Sequence, residues 1–89
     1  MPVYRLDPID PGHASWRFSV EKDSLWTQAP TPEAARDLVA AKTGFDAQAH
    51  PGALSPWQDD KVTSVTPQPT MDYPNPGEVI RDDGSAVAD

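Results

Sequence analysis

The sequence has no cysteine, few basic side chains and no long apolar run. Without thiols there is no disulfide staple, no thiolate nucleophile and no cysteine-ligated metal. Seven Lys and Arg stand against fourteen Asp and Glu, a formal charge of −7. Phosphate backbones are bound through Lys and Arg that displace counterions, so direct nucleic-acid binding is not expected. Anionic membrane surfaces are disfavoured for the same reason. The apolar runs reach only three or four residues, against the roughly 20 that a membrane span needs. Five glycines, at 12, 44, 52, 77 and 84, are too dispersed for a phosphate cradle or a dinucleotide fingerprint. The opening Met1–Arg5 shows neither a charged n-region nor an apolar h-region, so the expectation is a soluble, cytoplasmic protein without a cofactor.

What is present points to a small folded unit. The chain has 89 residues, 37% of them hydrophobic, and eleven prolines, more than twice the ordinary share of about 5%. Five of the seven aromatics (Tyr4, Trp16, Phe18, Trp26 and Phe45) fall within the first 45 residues, where charge nearly balances. Residues 45–89 hold only Lys61 and Arg81 against eight acids. Large rings carry much of a small core's burial energy, so the core belongs to the first part.

Val3–Leu6 alternates, with Tyr4 and Leu6 on one face. Trp16, Phe18 and Val20 alternate with Ser15, Arg17 and Ser19, and the spacing predicts a strand over 15–20. Glu21–Ser24 suits a hairpin connection to a strand over Leu25–Ala29. Thr31, Pro32 and Glu33 form a helix start: a hydroxyl cap, a fixed φ and a charge that favours the dipole. Ala35, Leu38, Val39 and Lys42 follow helical spacing, and Gly44 with Phe45 supplies a left-handed stop and its apolar contact. Lys61–Thr66 reads as a further short strand. The fold class expected is α+β: a small antiparallel sheet of three to four strands, in order β-β-β-α-β, with one helix packed on one face. The domain is expected over 1–66. Residues 67–89, acidic and Pro-rich, read as a disordered tail, within which Asp72–Pro76 and Val79–Ile80 could fold on a partner or add to its sheet.

The segment from Trp16 to Ala41 reads strand, hairpin, strand, and then the run Thr-Gln-Ala-Pro-Thr-Pro-Glu-Ala-Ala-Arg. It resembles the strand-to-helix junction of HicB-type antitoxins. The resemblance covers about a third of the chain and implies a shared local topology and an antitoxin role. This sequence departs from the family in lacking its Gly-rich strand segment and a recognisable DNA-binding helical region downstream.

Catalytic and metal chemistry find little support. His13 and His50 sit in expected loops, with Asp10 and Asp46 as nearby acids that could orient them. Asp59–Asp60 and Asp82–Asp83 lack the alternating ligands and closing Glu of a calcium loop. The serines are not in a nucleophile elbow. No catalytic, cofactor-binding or metal site is assigned. The surplus aromatics suggest instead a small non-catalytic protein-binding or regulatory module. Trp16 is expected in the core, whereas Arg17, Trp26 and Trp57 are the candidate partner-binding residues. Two alternatives stand beside this: an acidic nucleic-acid-mimicking inhibitor or antitoxin-like protein, and a small enzyme using His13 or His50. The partner is expected to be another protein; oligomeric state is not readable from the sequence.

Overall fold

The computed structural model describes residues 2–46, 48–71 and 75–87. The fold is α+β, one four-stranded antiparallel sheet with one α-helix on one face. The strands are β1 (Val3–Pro8), β2 (Leu25–Gln28), β3 (Thr63–Pro67) and β4 (Val79–Ile80), in the order β3-β1-β2-β4. The helix α1 spans Pro32–Lys42. Two 3₁₀ turns, Ala14–Phe18 and Pro56–Gln58, pack on the helix side.

β1 is rich in β-formers and pairs on both sides, with Tyr4 opposite Thr27 and Arg5 opposite both Trp26 and Thr66. Because strand residues alternate between faces, this register sorts the sheet. Tyr4, Leu6, Leu25 and Val79 point to the helix and join Ala35, Val39 and Ala40 in the buried cluster. Arg5, Trp26, Ile80 and Thr66 share the other, outer face.

The helix begins and ends as its residues dictate. The Ala34 N–H donates to Thr31 Oγ1 at 3.1 Å, and Pro32 opens the first turn. At the other end Gly44 takes φ +95°, and the Phe45 N–H donates to the Ala40 carbonyl at 3.2 Å. That is the left-handed stop expected of Gly44, with Phe45 packed against the core.

Three expectations need correction. The segment read as the second strand, Ser15–Val20, is a 3₁₀ turn over Ala14–Phe18, capped by His13. Its buried residues are Trp16 and Ser19, three apart, which is the period of a 3₁₀ turn and not of a strand. Val20, expected on one strand face with Trp16 and Phe18, is 73% exposed. β2 lies between β1 and β4 instead. The second correction concerns Trp57, expected in a loop. Ser55 caps a 3₁₀ turn there, with Gln58 Oε1 accepting from the Ser55 N–H at 3.1 Å, and Trp57 is fully buried. The third concerns residues 67–89. Val79–Ile80 adds to its own sheet beside β2, and Val87 is buried in the core. The Val87 N–H donates to the Val79 carbonyl at 2.8 Å, which closes that side of the sheet. Apolar β-branched residues outweigh the surrounding acid here because the helix and β2 offer them a surface to cover. Tyr73 and its neighbours Asp72 and Pro74 lie outside the described residues.

Candidate functional site

The three candidate partner-binding residues do not form one surface. Trp57 belongs to the core. Its ring meets Trp16 edge to face at a centroid distance of 5.1 Å, and its Nε1 donates to Ser19 Oγ at 2.9 Å. Its carbonyl accepts from Arg36 Nη1 at 3.1 Å, tying the 3₁₀ turn to the helix. A fully buried and fully bonded indole offers nothing to a partner, so Trp57 is a core residue and not an anchor. The reason is local: Ser55 and Gln58 fold the Ser-Pro-Trp-Gln run into a capped turn that aims the ring inward.

Trp26 sits on the outer face at the centre of the row Thr66, Arg5, Trp26 and Ile80. It is half-buried, and the Arg5 guanidinium lies 5.4 Å from its ring centroid. Arg5 is held by Asp7, Nε to Oδ1 at 2.9 Å. With Met71, Ile80, Arg81, Asp82 and Gly84 the indole lines a mostly apolar cleft of about 350 Å³. Trp16 Nε1 donates to the Asp10 carbonyl at 2.7 Å and Trp57 Nε1 to Ser19, but Trp26 Nε1 has no acceptor among the described residues. Met71, Ile80 and Arg81 were missed because they lie in the stretch read as tail. The β-branched pair Val79–Ile80, isolated between Pro76 and Asp82, was the signal that a strand forms there.

The rim of this cleft is electrostatically organised. Arg81 Nε donates to Glu21 Oε1 at 2.7 Å. That hydrogen bond to Glu21 holds the Arg81 guanidinium above its ordinary pKa. Asp83 accepts from the Ser85 hydroxyl at 2.6 Å and the Ser85 N–H at 2.9 Å, and those bonds hold its carboxyl below its ordinary value of 3.8.

Arg17 lies on the other side of the sheet, on the first 3₁₀ turn, with its guanidinium 4.9 Å from the Phe18 ring centroid. It shares an open cleft of about 330 Å³ with His13, Phe18, Leu54 and Asp59. The histidines are not oriented by the acids beside them in sequence. His13 Nδ1 pairs with Ser15, while the Asp46 carboxylate accepts from the Gln48 and Ala49 N–H groups. His50 lies against Phe18 at a centroid distance of 4.7 Å. A third hollow, lined by Glu33, Arg36, Leu54, Asp59, Asp60 and Val65 among others, is about evenly polar and apolar, and its arginine is committed to the Trp57 carbonyl.

Among the described residues no group of three or more His, Asp or Glu could hold a metal ion. No described helix is long and apolar enough to cross a membrane. Comparison with protein-family models, with curated proteins and with solved structures finds no match for this chain.

Proposed function

We propose that this chain is a non-catalytic protein-binding module whose contact surface is the outer sheet face, centred on Trp26. One observation carries the reading: two of three indole N–H groups are bonded inside the protein, while the third has no acceptor among the described residues and belongs to a ring that lines an apolar cleft. Tryptophan and arginine are among the residues most enriched where binding energy concentrates, and here the Arg5 guanidinium lies over the Trp26 ring on the outer face. Arg5 in that position limits the ring's freedom before any partner arrives, which lowers the ordering cost of binding. A cytoplasmic setting is part of the same proposal, since a cysteine-free domain needs no oxidising compartment.

The test is affinity capture from the source lysate after nuclease treatment, at low and high salt, with the wild-type chain and Trp26→Ala in parallel. The expected result is a protein retained by the wild type at both salt concentrations and lost with Trp26→Ala. Equal retention by the two chains would overturn the reading. A basic, nucleic-acid-handling protein lost at high salt and indifferent to Trp26 would move the assignment to an acidic decoy.

A further inference from the structure

We infer that the cleft between the first 3₁₀ turn and residues 52–54 is a binding site for a carboxylate carrying an apolar group, with Arg17 and His13 as its donors. It is separate from the Trp26 face and does not depend on it. Three of the four arginines are engaged: Arg5 with Asp7, Arg36 with the Trp57 carbonyl and Arg81 with Glu21. Arg17 has neither an ion pair nor a hydrogen bond among the described residues, yet its guanidinium rests on the Phe18 ring. An arginine fork held this way presents parallel N–H donors that match the two oxygens of a carboxylate.

His13 supplies a second donor, and its tautomer follows from the backbone. The Ser15 N–H donates to Nδ1 at 3.1 Å, and Ser15 Oγ lies 2.8 Å from the same nitrogen. An Nδ1 that accepts from a backbone amide carries no proton, so the neutral ring bears its proton on Nε2. Nε2 has no partner among the described residues. Both residues line the same cleft, whose apolar wall includes Phe18, Ala53 and Leu54, the last 55% exposed. Its volume of about 330 Å³ falls at the lower end of small-ligand sites, roughly 300–1,000 Å³.

Asp59 decides between anions. It lines the cleft as well, its Oδ1 accepting from the Lys61 N–H at 2.9 Å, so a phosphate dianion would meet this like charge more strongly than a monoanion does. The apolar wall then selects a carboxylate with a hydrocarbon substituent. That chemistry belongs equally to a free small acid and to the C-terminal carboxylate of a peptide. On a chain of net charge −7, diffuse attraction of anions is absent, so saturable binding reports a local site.

The experiment is a backbone-amide NMR titration of the full chain with phenylacetate, with an N-acetylated tripeptide ending in Phe, with that peptide's C-terminal amide, and with inorganic phosphate at matched ionic strength. The expected result is saturable shifts confined to residues 13–18 and 52–54, with Kd of about 1 mM for at least one carboxylate. Arg17→Gln should weaken that binding about tenfold, and His13→Asn, whose Oδ1 replaces Nδ1 as the capping acceptor and which removes the Nε2 donor, should weaken it less. The two carboxylate arms separate a free acid from a chain terminus. Linear, unsaturated shifts, equal binding of the amide, tighter binding of phosphate, or an unchanged Kd in Arg17→Gln would each overturn the site. Trp26→Ala should leave this titration unchanged, so its outcome and that of the capture experiment are read independently.

Discussion

The two faces of the sheet handle tryptophan in opposite ways. On the helix side Trp16 and Trp57 are buried against each other, and each indole N–H finds an acceptor within the fold. On the outer face Trp26 is backed by Arg5 and Ile80 and left half open, its N–H unmatched among the described residues. The rings are chemically identical, so the difference lies in what surrounds them. Burial of an indole needs both an apolar pocket and one acceptor. The helix side supplies both, because the capped turns bring Ser19 and the Asp10 carbonyl into range. The outer face supplies only the first.

The contrast is sharpest in stability. Trp57→Ala should cost about 3–5 kcal/mol and leave a chain of this size largely unfolded in a urea titration at room temperature. A loss below about 1 kcal/mol would mean that the helix-side core is not organised around Trp57. Ending the chain after Pro76 removes Val79, Ile80 and Val87, and with them the Glu78 carbonyl that accepts from Thr27 Oγ1 at 2.8 Å. The expected loss is about 3 kcal/mol or more, seen as a large drop in melting temperature by circular dichroism. An unshifted melt would restore the reading of this stretch as a tail. Trp26→Ala should cost only about 1 kcal/mol, and acrylamide should quench Trp26 while sparing the two core rings. Gly44→Ala should cost a similar amount, about 1 kcal/mol, because φ +95° strains any residue with a Cβ.

The smallest effect concerns pH at the rim of the Trp26 cleft. The Asp83 pKa is held below its ordinary value by Ser85, so its contribution is complete above pH 3.8 and is lost as pH falls through the folded-state value. The Gly84 and Ser85 amide resonances should therefore move only in acid, and Ser85→Ala should shift that titration upward towards the ordinary value. If the two chains titrate identically, Ser85 does not set the Asp83 pKa.

The helix was the most legible part of the chain, because Thr31-Pro32-Glu33 and Gly44-Phe45 each act through neighbours no more than five positions away. The sheet was less so, although Lys61–Thr66 already marked β3. A six-residue alternation such as Ser15–Val20 is too short to tell a strand from a 3₁₀ turn, since Trp16 is buried in both and only Ser19 and Val20 discriminate. β4 was hidden by composition: two β-branched residues among prolines and acids become a strand only because β2 lies ready to pair with them. For the candidate surfaces, Trp26 and Arg17 were visible as residue types, but their separation onto opposite sides of the sheet was not. That separation follows from the pairing of β1 with β2, a contact spanning some twenty residues.

The placement of β1 also bears on the time the fold takes to assemble. Its first partner lies in the twenties of the sequence and its second in the sixties, while β2 waits for residues 79–80 and the core for Val87. Little of this sheet is local, so loops must close before any pairing is rewarded, and a chain this short is expected to fold in milliseconds to seconds. Stopped-flow fluorescence on the buried tryptophans would show it as one slow phase; a microsecond phase carrying most of the amplitude would mean that helix and turns condense before the strands meet.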